Sequence, residues 1–446
     1  MDIKRVRALR GPNVWSRHTA LEAVVAYDDD ERSVDRHPGL STRLAAMLPA
    51  LPRLRTDADA PMSLPHVLAL LALTLQAEAG CPVRGVRERT TTEPGTTRIV
   101  VEYTQESVGR MALDGARELL EAARAGAEFD VTALIARLRE LDEDIRLGPS
   151  TGAIVQAGIA RGIPFRRLTD GSLVQFGWGV HQRRIQAAEV DATSAIAESI
   201  AQDKELTKRL LESIGVPVPG GRSVDELDDA WTVLQSLGAP AVVKPRDGSQ
   251  GRGVTVNVTT REELERAWAA ACEISDDVIV ERYIEGDDYR LLVVDGRLVA
   301  AARRDPPQVI GDGVSTIGQL VEAVNRDPRR GDGHATSLTR IRLDAIALAR
   351  LAAQDLDADS VPAAGRKVVL RNNANLSTGG SATDVTDDVH PDVAARVVEA
   401  ARMIGLHICG VDVVCKSIAR PLEEQGGGIV EVNAAPGLRM HLAPSY

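Results

Sequence analysis

At 446 residues, with 44% apolar and 26% charged content, the chain has an ordinary globular composition and room for roughly two to four domains. Its formal charge of −11 argues against a general nucleic-acid binder, and an acidic substrate would need cations gathered locally because the overall field repels it. Aromatic residues make up only 3%, so the cores must be built from Ala, Val, Leu and Ile.

Residues 1–160 read as a first α+β unit. The opening stretch, MDIKRVRALRGPNVW, has no apolar core of a signal peptide, and the longest strongly apolar run, 67–73, is far too short to span a bilayer. Four cysteines (Cys81, Cys272, Cys409, Cys415) lack CxxC spacing and read as reduced thiols, so the protein is expected in the cytoplasm, with no membrane partner. A helix is predicted over 66–79, stopped by Gly80 and Pro82, and a strand over 98–103. Apolar residues at helical spacing predict helices over 108–125 and 131–145, with Asp130 as the N-cap of the second.

Residues 150–200 alternate short α and β pieces. The next informative stretch is 241–254, AVVKPRDGSQGRGV. An apolar run ends in Lys244, a Gly-rich turn follows (Ser249, Gln250, Gly251, Gly253), and the β-branched run Val254, Thr255, Val256 returns. This is strand, loop, strand: a hairpin whose N–H groups can fold over a polyphosphate, with Lys244 as a point charge at its root. It is not a Walker loop, because no Gly-Lys-Ser/Thr precedes a helix. A strand running into a hinge is predicted at 279–286, IVERYIEG. Residues 303–342 read as an inserted mobile lid, given Pro306-Pro307, Gly311-Asp312-Gly313 and Gly331-Asp332-Gly333. Further short strands are expected at 367–370, 410–414 and 429–433. The last two carry Asp412, Glu431 and Asn433, hard oxygen donors of the kind Mg²⁺ prefers, with Glu431 and Asn433 on one face of a strand. No Ser/His/Asp or Cys/His nucleophile arrangement is evident.

Over 200–440 this layout resembles the ATP-grasp ligases, which clamp ATP between two α+β subdomains. Several stretches narrow the resemblance to the cyanophycin synthetases: LRGPNVWS (9–16), GPST (148–151), DGSLVQ (170–175), GWGVHQRRIQ (177–186), TSAIAE (193–198), NRDPRRGDGH (325–334) and NLSTGG (375–380). The fold class expected is α+β / α/β, an N-terminal cyanophycin-synthetase-like domain (1–160) followed by an ATP-grasp domain (161–446). Family members continue into a Mur-ligase-like domain that adds arginine. The chain ends where the ATP-grasp unit is only just complete, so that domain is expected to be absent, through truncation or as a natural short form. A His-x-x-Glu-His peptidase helix found in some members has only His66 here, with Ala69 and Leu70 in the other positions; no metal site is expected there.

The resemblance implies ATP and Mg²⁺ as cofactors, and roles for particular residues. Lys204, which alone would pass for a solvated helix lysine, matches the first phosphate-binding lysine, and Lys244 the second. Ser249, Gln250, Gly251 and Gly253 close over the phosphates. Glu281 accepts from the adenine amino group, and the backbone of Arg282, Tyr283 and Ile284 reads the ring edge. Asp288 is the ribose partner, with Glu285 its rival on the same loop. Asp412, Glu431 and Asn433 hold Mg²⁺, and Arg371 steadies the transferring phosphoryl group. The implied reaction joins L-aspartate to the C-terminal carboxylate of a poly-aspartate (cyanophycin) primer through an acyl phosphate. Ser377, Thr378, Gly379, Gly380 and Arg439 are the candidates for the acidic chain end, with His441 and the arginines at 303–304, 326–330 and 340–342. A homo-oligomer is expected. Two other readings stand beside this: a binding-only fragment, and another ATP-grasp amide ligase of the dipeptide or glutathione type.

Overall fold

The structure is a computed structural model; it describes residues 1–54, 62–238, 240–246, 253–331 and 338–444. The chain divides into two compact units, one of residues 1–147 with 155–182, the other of residues 148–154 with 183–446. The stretch beyond 160, expected to open the second domain, therefore packs with the first unit as far as Gln182.

The first unit is a four-stranded antiparallel sheet, in the order Asp2–Leu9, Ala20–Ala26, Thr96–Glu102, Val86–Thr90. Helices lie on it because one face of the sheet and one stripe of each helix are apolar. Leu21, Ala23, Ile99 and Val101 meet Leu68, Leu71 and Leu75 of the helix Leu64–Glu78, and Leu113, Leu119 and Leu120 of Glu106–Ala125. The helix predicted at 131–145 is present as Val131–Ile145, and the Asp130 carboxylate accepts from the Ala133 N–H at 2.9 Å, as its N-cap position predicts. His66 sits in the first turn of its helix, its N–H donating to the Ser63 hydroxyl, while Ala69 and Leu70 are buried. All four cysteines are free thiols.

Among the described residues, the two largest sheets of the second unit are antiparallel, of four and five strands. The four-stranded one runs Thr255–Val258, Ala241–Pro245, Val278–Arg282, Gly221–Val224. Its inner face (Ala241, Val243, Val278, Val280) packs on the helices Leu227–Leu237 and Arg261–Cys272. The five-stranded one runs Ser381–Asp384, Arg297–Asp305, Asp287–Val294, Ile408–Cys415, Gly428–Ala434. Its apolar face buries Tyr289, Leu291, Val293, Val411 and Val413 against Leu211 of the helix Lys204–Ser213 and Val393, Val397 and Ile404 of Pro391–Ile404. Strand alternation sends the intervening polar residues to the other face.

The expected lid bounds need correction. Arg303 and Arg304 belong to the strand Arg297–Asp305, second in the five-stranded sheet, and the inserted packing unit reaches well past 342. Strand Gln308–Ile310 pairs with Lys367–Val369, and Val309, Ile317, Val321, Ile341, Leu351, Val368 and Leu370 form one small core. Contacts far apart in sequence set these limits, which a run of Pro and Gly cannot reveal. No helix among the described residues is long and apolar enough to cross a membrane.

Candidate nucleotide and acyl-transfer site

Lys244 and Glu281 occupy neighbouring antiparallel strands, Val242 facing Glu281 and Lys244 facing Ile279. Their side chains share the face turned away from the two covering helices and meet diagonally, Lys244 Nζ lying 2.6 Å from Glu281 Oε1. The second oxygen, Oε2, pairs with Lys208. Lys208 stands one turn beyond Lys204 on the helix Lys204–Ser213, and both lysines line one small cleft with Thr207, Val430 and Glu431. Glu281 is 3% exposed. Burial pushes its carboxyl up, but the charges of Lys244 and Lys208 outweigh burial and hold it below its ordinary value. Burial pulls Lys208 down, against the opposing charge of Glu281.

The adenine role expected of Glu281 therefore meets a carboxylate with both oxygens already accepting from lysines. The ring-edge expectation is narrowed as well, because the N–H groups of Arg282 and Tyr283 donate to the carbonyls of Gly220 and Pro240 at 2.7 Å. Ile284 follows directly in the chain. Asp288 is not on a loop with Glu285. It lies within the strand Asp287–Val294, opposite Arg304, whereas Glu285 pairs with Lys416 at 2.7 Å. Of the glycine loop, Ser249, Gln250 and Gly251 lie outside the described residues. Gly253 is described, with φ of +67° and Pro245 close by.

Asp412, Glu431 and Asn433 do share one sheet face. Asp412 is in register with Glu431, and Gly410 with Asn433, so the alternation of two paired strands gathers all three. Asp412 is not a bare carboxylate, however. Arg290, opposite it on the next strand, grips both its oxygens, with Nη2 to Oδ2 at 3.1 Å, and Arg304 Nη2 approaches Oδ2 at 3.4 Å. Asp412 is 5% exposed; burial lifts its carboxyl, but the two arginines hold it below the usual carboxylate range. Among the described residues no three His, Cys, Asp or Glu side chains gather as a metal cluster, so the donor set rests on two carboxylates and an amide. That set suits a hard cation, since a carboxylate offers about four lone-pair sites and the arginines take only part of Asp412's.

The chain-end candidates come together in a second cluster. Arg330 donates to the carbonyls of Thr339 (2.7 Å) and Gly379 (3.0 Å), and Arg439 donates to the Thr339 hydroxyl at 3.2 Å. Ser377 and Thr378 lie in a single helical turn before Gly379, whose φ of +99° suits glycine. Gly380 packs so tightly that a Cβ would sit 2.9 Å from the carbonyls of Asn375 and Asp305. His441, on the short helix Arg439–Leu442, is pushed down to about 4 by burial and by the nearby charges of Arg290 and Arg304, against the pull of Asp384. Arg371 is engaged with Asp344, the N-cap of the helix Ala345–Ala352.

Lys208 and Arg290 are site residues that sequence reasoning missed. Lys208 was signalled by its i+4 spacing from Lys204. Arg290 was signalled only by standing two residues from Asp288 on a strand, and its partner Asp412 is 122 positions away.

A family model described as the ATP-grasp domain matches residues 209–293, and one described as the cyanophycin synthase-like N-terminal domain matches residues 23–124. The chain is 42% identical to the cyanophycin synthetase of Trichormus variabilis, over all of this chain and 51% of that protein, and 42% identical to that of Synechocystis, over all of this chain and 53% of it. It thus spans about half the length of these curated relatives. The glutathione biosynthesis bifunctional protein GshAB of Clostridium perfringens is 33% identical over 68% of this chain and 39% of that protein. A bifunctional glutathione synthetase from Pasteurella multocida shares the fold, with a TM-score of 0.55 at 21% identity, over 96% of this chain and 79% of that one. ATP and Mg²⁺, the cofactors expected from the sequence, are those that ATP-grasp ligases use. The chain thus matches both the ATP-grasp domain and the cyanophycin synthase-like N-terminal domain, and along its whole length it is similar to cyanophycin synthetases.

Proposed function

We propose that the protein is an ATP-dependent carboxylate–amine ligase that adds L-aspartate to the C-terminal carboxylate of a poly-aspartate backbone. The observation that carries this reading is the gathering, in one unit, of Lys204, Lys208 and Lys244 with the Asp412, Glu431 and Asn433 face. A carboxylate is a poor electrophile. One of its oxygens attacks the γ-phosphorus of ATP, ADP leaves, and an acyl phosphate results. The aspartate amine then attacks the acyl carbon, phosphate departs, and the amine proton goes to solvent. Such chemistry asks for alignment and charge neutralisation rather than a side-chain nucleophile.

In this reading Lys204, Lys244 and the loop from Ser249 to Gly253 hold the phosphates, Asp288 faces the ribose, and Arg371 neutralises the transferring group. Asp412, Glu431 and Asn433 would hold Mg²⁺, which neutralises phosphate charge when bound. Ser377, Thr378, Gly379, Gly380 and Arg439 take the acidic chain end. In the N-terminal unit, a cavity of about 380 Å³ lined by Trp15, Arg17, His18, Arg87 and Glu102 is a candidate grip for the polymer.

The test is incorporation of labelled aspartate into a synthetic poly-aspartate primer with ATP and Mg²⁺. The reading requires phosphate release that depends on primer and aspartate together. Nucleotide binding with no turnover would leave a binding-only protein. A second reading, a dipeptide ligase of the glutathione type, is favoured by the 33% identity to GshAB. It requires turnover on small amino acids with no primer present.

A further inference from the structure

Glu281 is held from two sides by lysines of different elements. Lys244 comes from the neighbouring strand of the same sheet, Lys208 from a helix whose Leu211 is buried under the other sheet. Lys208 thus ties the helix Lys204–Ser213 to the four-stranded sheet. The Lys208 and Lys244 side chains are 12% and 11% exposed. Two ammonium groups against one carboxylate leave a single net positive charge, fixed where a polyphosphate would lie. Removing Lys208 leaves Lys244 and Glu281 as a neutral pair in which the buried Oε2 has lost its donor, and the remaining groups rearrange. Without Lys208, Oε2 would draw Lys244 or solvent toward itself, and the Lys244 ammonium would lose its fixed place.

Resting on the reading that this cleft takes Mg-ATP, we propose that Lys208 is a positioning residue for the nucleotide. It pins Glu281, and Glu281 in turn sets where Lys244 meets the phosphates. Lys208 therefore acts through Glu281 and not as an independent phosphate ligand. This separates it from Lys204, which stands on the same helix face and which the proposed function places on the phosphates directly.

The experiment is a titration of the full chain with Mg-AMPPNP by calorimetry, for wild type, K208M, K208Q, K208R, E281Q and the doubles K208M/E281Q and K208Q/E281Q. K208M is expected to weaken binding about tenfold, and K208R to stay within about threefold of wild type. In the E281Q background the further change to Met is expected to alter affinity by less than about twofold, because the route through Glu281 is already gone. If K208M fails to fold by circular dichroism, K208Q carries the same cycle. Wild-type affinity in K208M or K208Q overturns the inference, and so do losses that multiply in the double variants. Wild-type protein that binds no Mg-AMPPNP overturns the nucleotide-site reading itself, an outcome distinct from either.

Discussion

Glu281 carries two opposed demands at one residue: burial favours its neutral form, and two lysines favour its charge. The lysines win, so its proton affinity is lower folded than unfolded. The stability this contributes is fully present above the ordinary glutamate value of 4.5 and is lost as pH falls through the folded value. Thermal unfolding should therefore show a steep loss of stability below pH 4.5, and E281Q should flatten that loss while lowering the midpoint at neutral pH. An unchanged acid limb in E281Q would contradict the assignment. His441 has a separate window. Its folded value of about 4 lies below the ordinary 6.5, so folded protein resists the proton that unfolded chain accepts. Stability linked to His441 is complete above 6.5 and declines from there to about 4, and H441Q should remove that component of the melting profile.

At the scale of elements, two antiparallel strands bring Asp412 and Glu431 side by side, yet the two carboxylates have different surroundings. Asp412 is clasped by Arg290 and Arg304, whereas among the described residues Glu431 makes no ion pair and is only half-buried. D412N should therefore cost about 3–5 kcal/mol of stability, since the buried Arg290 guanidinium would lose its ion-pair partner and Arg304 would keep only Asp288, 3.6 Å away. E431Q should change stability by less than about 0.5 kcal/mol while weakening Mg²⁺-dependent nucleotide binding about tenfold or more. Melting curves set beside nucleotide titrations separate the two, and equal destabilisation would refute the distinction. Gly286 makes a similar point about backbone. Its φ is +157° and a Cβ there would sit 2.3 Å from the Cys415 carbonyl carbon, so G286A should separate the strands Asp287–Val294 and Ile408–Cys415 where they start to pair. A loss of at least about 2 kcal/mol is expected in chemical denaturation.

Over the whole molecule the net charge of −11 opposes any anionic ligand, so a nucleotide depends on the few cations concentrated at its site. AMPPNP titrated in EDTA should bind at least about tenfold more weakly than in excess Mg²⁺, and equal affinity would remove the metal from the proposal. Much of this was legible in the chain itself. Period-two and period-3.6 apolar patterns located the strands at 98–103 and 429–433 and the helices at 108–125 and 131–145, because local propensity and burial act there in the same direction. The i, i+2 spacing of Glu431 and Asn433 already implied a shared strand face and Lys244 stood at the root of a Gly-rich hairpin, whereas Lys204 was singled out only by the family resemblance. The sequence could not say which charges these side chains would find opposite them. Glu281 became a lysine-bound carboxylate and Asp412 an arginine-bound one through strand register and helix docking, with partners 37 to 122 positions away. The inserted unit closed at Leu370 for the same reason. Local sequence sets what each element can present, and only packing between distant elements decides what it meets.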